Sequence, residues 1–168
     1  VMWHDQTTGD LRIWFMNGTT VLREQQVATV FAPWGIVCSA DFNGDRRADV
    51  LLKNATSGET AVWLLNGAAI VGDGMTPTMA ASWDFEACGY FDGDGKGDVL
   101  WRDNTTGWMR MWTMNGVAVT VDANVQRADV AWRIEGSGDY DGDGKADLLF
   151  RERSSGWIAL WLMNGSVV

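Results

Sequence analysis

Residues 99–116, VLWRDNTTGWMRMWTMNG, decide how this chain folds, because the pattern recurs along the whole sequence. It appears as VMWHDQTTGDLRIWFMNG from Val1, VLLKNATSGETAVWLLNG from Val50 and LLFRERSSGWIALWLMNG from Leu148. Successive copies begin 49 residues apart (50−1, 99−50, 148−99) with no insertion or deletion. Self-similarity at a fixed period of this size is the signature of a repeat architecture. The chain therefore reads as one repeat domain, 1–168, divided into 1–49, 50–98, 99–147 and a partial 148–168, about 3.4 copies (168/49).

Each copy carries its own turn signals. Thr-Thr-Gly at 7–9 and 105–107, Thr-Ser-Gly at 56–58 and Ser-Ser-Gly at 154–156 suit short hairpins closed by a glycine at positive φ. Asn-Gly at Asn17, Asn66, Asn115 and Asn164 is a strong hairpin signal. In the third copy these turns predict strands over Val99–Arg102, Trp108–Met114 and Val117–Val121, with another near Trp132–Glu135. The middle strand is apolar on both faces: Met109, Met111 and Thr113 alternate with Trp112 and Met114. Such a strand needs a sheet packed on each side. Four short antiparallel strands per repeat, each sheet lying between neighbours, predict the blades of an all-β propeller, partial or closed by self-association. Trp14, Trp63, Trp112 and Trp161 share one repeat position and Trp34, Trp83 and Trp132 another, which predicts packing between blades.

Between the hairpins lie acidic loops with the same spacing: Asp41-Phe-Asn43-Gly-Asp45-Arg46-Arg47-Ala-Asp49, Tyr90-Phe-Asp92-Gly-Asp94-Gly-Lys96-Gly-Asp98 and Asp139-Tyr-Asp141-Gly-Asp143-Gly144-Lys145-Ala-Asp147. Clustered carboxylates repel unless something neutralises them. Oxygens at positions 1, 3, 5 and 9, a backbone carbonyl at 7 and a glycine at 6 match a calcium loop of the EF-hand type. Ca²⁺ takes six to eight oxygens, so it makes such carboxylates compatible. The backbone carbonyls of Lys145, Lys96 and Arg47 are the expected position-7 ligands, with the Lys145 ammonium pointing away. In the second loop Tyr90 replaces the first Asp, and in the first Arg46 replaces the turn glycine, at about 1–2 kcal/mol for a left-handed residue. Up to three Ca²⁺ are expected, the third loop binding best. Three would move the net charge from −9 to −3.

The stretch GDYDGDGKADLLFR…GWIALWLMNG resembles the FG-GAP/VCBS repeats of secreted bacterial proteins, related to the calcium-bearing blades of integrin α-subunit propellers. The resemblance covers essentially the whole chain. It implies a β-propeller whose calcium loop joins a blade's innermost strand to the next, in a secreted or cell-surface protein where millimolar calcium fills such loops. The family serves adhesion, carbohydrate binding and enzyme accessory roles, so it does not fix a ligand.

The acidic balance and absence of a basic patch argue against nucleic acid and anionic membranes. No segment has the roughly 20 apolar residues of a membrane helix. Val1 in place of Met, with no leader-like sequence, fits a processed or truncated product. Cys38 and Cys88 match no zinc spacing; a disulfide and two buried thiols both fit. On this reading the first blade lacks its innermost strand. Two chains could close a ring of seven blades, or eight with incomplete ones, so a homodimer is expected as a route to closure.

His4 is the only histidine, and its repeat equivalents are Lys53, Arg102 and Arg151, which reads as a structural surface position rather than a catalytic base. No nucleophile motif or phosphate loop is present. The sequence therefore predicts no enzyme but a binding module. Repeats carry function where they break pattern, and after the Thr-Thr-Gly turn Asp10 and Glu59 give way to Trp108 and Trp157. Flat exposed aromatics there, with Asp103, Asn104 and Glu152 nearby, suit lectin-like carbohydrate binding. The alternatives are that each Trp covers a neighbouring blade, or that the chain is a structural or protein-adhesion module of a larger secreted protein. The Asn-x-Ser/Thr sequons at Asn17, Asn54, Asn104 and Asn164 do not discriminate between these readings.

Overall fold

A computed structural model describes residues 1–168. The chain is all-β, with fourteen strands in four antiparallel sheets and no helix. The first sheet holds β1 (Met2–His4), β2 (Asp10–Asn17) and β3 (Thr20–Thr29). The second runs β4 (Trp34–Ala40), β5 (Asp49–Asn54), β6 (Thr60–Asn66), β7 (Ala69–Thr76), and the third β8 (Trp83–Gly89), β9 (Asp98–Asp103), β10 (Trp108–Asn115), β11 (Ala118–Arg127), each in sequence order. The fourth holds β12 (Trp132–Gly138), β13 (Asp147–Glu152) and β14 (Ile158–Trp161). Each four-stranded sheet thus takes its first strand from the end of one sequence repeat and the other three from the next.

Both predicted hairpin turns are present. The glycine of the Thr-Thr-Gly turn is fixed by crowding as well as by its φ of +76°: a Cβ on Gly107 would lie 2.2 Å from the Ala128 carbonyl oxygen. β11 extends well beyond the expected Val121, through Asp-Ala-Asn-Val-Gln-Arg, because an outermost strand exposed along most of its length carries little apolar signal.

Three apolar cores join the sheets in chain order. Leu11 meets Val50, Leu52 and Leu65 between the first and second sheets. Leu51 and Val62 meet Trp101, Trp112 and Met114 between the second and third. Leu100, Met109 and Met111 meet Leu148, Phe150 and Met163 between the third and fourth. The two-faced apolar β10 is therefore explained: Trp112 looks back to the second sheet and Met111 forward to the fourth. Six of the seven recurring tryptophans border these cores. Trp14 does not; it stands edge-on to Trp3, centroids 6.1 Å apart, on the outer face of the first sheet, where no earlier sheet lies.

Cys38 and Cys88 form a disulfide, Cα atoms 6.6 Å apart, that ties β4 to β8. Cross-linking residues 50 apart removes about 4 kcal/mol of unfolded-chain entropy in the loop-closure account.

Candidate metal and ligand sites

The three acidic loops join β4 to β5, β8 to β9 and β12 to β13, and they lie side by side: a cleft of about 610 Å³ is lined by Asp41, Arg46, Tyr90, Gly93 and Gly144. Backbone bonds hold each of the first two loops to the following one. Gly97 N–H donates to the Asp41 carbonyl (2.6 Å) and Ala146 N–H to that of Tyr90 (2.9 Å). Phe42 and Phe91, second in their loops, are fully buried; their equivalent Tyr140 is exposed because no further sheet follows.

The last Asp of each loop has a role the charge pattern alone does not reveal. Asp49, Asp98 and Asp147 are buried; the first two join their loops to the third strand of the sheet, and Asp147 joins its loop to Met163, just past β14. Asp147 accepts the N–H groups of Tyr140 and Met163, both at 2.8 Å. Asp49 accepts those of Phe42 (2.9 Å) and Leu65 (2.8 Å), and Asp98 those of Phe91 (2.9 Å) and Met114 (3.1 Å). Burial first, and then the nearby Asp92 charge, push the Asp98 carboxyl up to about 7 despite these bonds.

In the third loop the oxygens of Asp139, Asp141 and Asp147 lie within 4.8 Å of one another. Ligands of one Ca²⁺, each about 2.3–2.6 Å from it, are at most about 5 Å apart, so this donor set fits that ion. The Asp139 carboxylate also accepts N–H bonds from Gly142 (2.6 Å) and Gly144 (3.0 Å), which curl the loop around it. Asp143 stands apart from the trio. Its Oδ1 accepts the Lys145 N–H (2.8 Å), and the Lys145 ammonium turns back onto Oδ2 at 3.0 Å rather than pointing away as the sequence suggested. Lys145 holds the Asp143 carboxyl below its usual range.

The same internal pairing recurs as Lys96 with Asp94 (2.7 Å) and Arg47 with Asp45 (3.1 Å). The position-7 cation neutralises the position-5 carboxylate in every loop. Neither earlier loop gathers three carboxylates as the third does. In the first, Asp41 caps the turn by accepting N–H bonds from Gly44 (2.7 Å) and Arg46 (2.6 Å), and Asn43 accepts that of Asp45 (2.9 Å). Arg46 is the only non-glycine residue at positive φ, +66°, in the conformation the missing glycine would favour. In the second, Asp92 accepts the Asp94 N–H (3.0 Å), and Tyr90 offers no carboxylate.

Trp108 and Trp157 stand beside their hairpin turns, 45% and 72% exposed. The polar groups expected near them are engaged locally. Asp103 accepts the N–H groups of Thr105 and Thr106, both at 2.8 Å, and the Ser82 hydroxyl at 3.2 Å. Glu152 accepts the backbone N–H groups of Ser154 (3.0 Å) and Ser155 (2.5 Å), and Asn104 donates to Asp84. Asp5 and Asn54 cap the equivalent turns in the first two repeats.

The column of basic residues departs from the surface role expected of it. His4 Nε2 meets the Val30 carbonyl at 2.9 Å, and Lys53 Nζ donates to that of Trp83 at 2.5 Å. Arg102, 3% exposed, donates to the carbonyls of Trp132 (2.6 Å), Ala128 (2.8 Å) and Asp129 (2.5 Å). Arg102 and Lys53 thus clamp their sheets to the first strand of the following one. Arg151, with no following sheet, is exposed.

Comparison with protein-family models, curated proteins and solved structures finds no match.

Proposed function

We propose that this chain is a non-catalytic binding module, stabilised by calcium and built as part of a β-propeller of the FG-GAP/VCBS kind, working outside the cell. The observation that carries this reading is the convergence of Asp139, Asp141 and Asp147 in the best-formed of three phased acidic loops. Bound calcium would supply positive charge between loop positions that belong to different strands. Weaker sites in the first two loops follow from Arg46 and Tyr90. The Cys38–Cys88 disulfide is compatible with an oxidising, extracellular setting. A further blade beside the last sheet, from a second copy or from the rest of a longer polypeptide, is supported by Ile158 and Leu160: they are 57% and 43% exposed, whereas their equivalents Met109 and Met111 are buried.

Carbohydrate is the first ligand class, on the exposed rings of Trp108 and Trp157. Protein adhesion is favoured instead by the engagement of Asp103 and Glu152 in their own turns and of Asn104 with Asp84, which occupies the polar groups expected to meet a sugar. A glycan array on the calcium-loaded protein separates the two readings. Signals lost in Trp108→Ala and Trp157→Ala support a lectin; an array without signal supports adhesion.

A further inference from the structure

Neighbouring sheets share one repeat, so each interface serves as a reference for the next. Between the second and third sheets the outer part of the interface is filled by an arginine. Arg110 on β10 lies over the Trp83 ring, Cζ 6.0 Å from the centroid, and pairs with Asp122 on β11, Nη2 to Oδ2 2.7 Å. Trp101 packs beneath, its ring centroid 5.1 Å from that of Trp112. In the first sheet the equivalent Arg12 pairs with Glu24 at 2.6 Å and lies 6.0 Å from the Trp3 ring.

Between the first and second sheets that arginine is missing. Its position is Ala61, Leu52 stands for Trp101 and Gly74 for Ala123. The acid and the aromatic are both retained, as Asp73 and Trp34. The smaller residues leave a cleft of about 290 Å³, walled by Trp34, Trp63, Leu52 and Met75 on one side and by Val30 and Phe31 on the other. Asp73 borders this cleft and is exposed, with no cation of the chain paired to it.

We propose that this cleft binds the guanidinium of an arginine side chain presented by another polypeptide, in the place that Arg12 and Arg110 fill in the adjoining sheets. A guanidinium is planar and weakly hydrated, so it can stack on an indole while donating to a carboxylate. Its methylene stem suits the apolar wall of Leu52 and Met75. The volume accommodates one side chain, being at the lower end for ligand pockets. The net charge of −9 favours a cationic partner. None of the acidic-loop residues takes part, so the inference stands whether or not those loops bind metal.

The test follows the Trp34 and Trp63 indole N–H resonances during titration with the capped peptide acetyl-Gly-Arg-Gly-amide and its citrulline counterpart. Saturable shifts with the arginine peptide are expected, at an affinity about tenfold or more above that for citrulline. Asp73→Asn should lower arginine affinity by a similar factor. Ala61→Arg, which supplies the guanidinium from within, should abolish binding; if that variant does not fold, the Asp73→Asn titration decides. Free arginine has the same net charge as the capped peptide but lacks its flanking peptide groups, so it should bind more weakly if the cleft takes the side chain from a polypeptide. Absence of saturable shifts, equal affinity for citrulline, or unchanged affinity in Asp73→Asn would overturn the proposal, and equal affinity for free arginine would overturn a polypeptide partner.

Discussion

Replacing Arg102 by Met removes three hydrogen bonds, one to the Trp132 carbonyl of the fourth sheet and two to those of Ala128 and Asp129 in the connection that leads to it. Bonds to a charged donor contribute about 1.5–3 kcal/mol each. Met keeps the stem's packing and spares the burial of a charge, so much of that gross sum returns. The expected net loss is about 3 kcal/mol, mostly the penalty for leaving buried carbonyls unpaired. For a chain of this length that lowers Tm by about 6–12 °C. Arg151→Met is the internal control: it occupies the same repeat position but has no following sheet, and should cost within about 0.5 kcal/mol. Urea unfolding of both variants, with scanning calorimetry for Tm, measures the difference. Equal losses would refute the clamp, because local strand effects are common to both sites.

Two further outcomes follow from local geometry. Arg46→Gly relieves the only non-glycine residue at positive φ and should raise stability by about 1 kcal/mol in urea unfolding; a loss would mean that the Arg46 side chain has a compensating role. Burial pushes the Glu86 carboxyl up, against the opposing pull of Arg102, so the folded chain binds that proton more tightly than the unfolded one. A raised folded pKa gives stability that is fully present below the unfolded value of 4.5 and is lost as pH rises through the folded value. Glu86→Gln should therefore gain on the wild type as pH rises above 4.5 in paired urea titrations, and parallel profiles would contradict this.

Much of the fold was legible because the repeat multiplied each weak signal. A single Asn-Gly or Thr-Thr-Gly predicts one hairpin, but four in phase fix the period, and the two-faced strand 108–114 implies a sheet on each side. What stayed hidden depends on tertiary partners. Bulges at Val37 and Glu86 fall where no adjacent glycine or proline marks them, although Gly136 follows the one at Glu135. The basic column looked like surface because a cation binding backbone carbonyls leaves no complementary charge in the sequence. The acidic loops showed their charge but not their division of labour, in which the ninth residue is a buried strand tie and the seventh neutralises the fifth. The Cys38–Cys88 pairing needed β4 and β8 to be placed side by side. The cleft at Ala61 was within reach of sequence alone, since Arg12 and Arg110 flank it in the repeat alignment.

Thermal unfolding with calcium and with EDTA probes most directly whether divalent metal neutralises the acidic corners. At a hundred times the dissociation constant, one site adds about 2.7 kcal/mol, and Asp139→Asn with Asp141→Asn should remove most of that gain. A melting temperature that rises with calcium in the wild type and stays level in the double variant is the predicted result. Superimposable curves in calcium and EDTA would show that the side-chain pairs and backbone bonds of the loops suffice without metal.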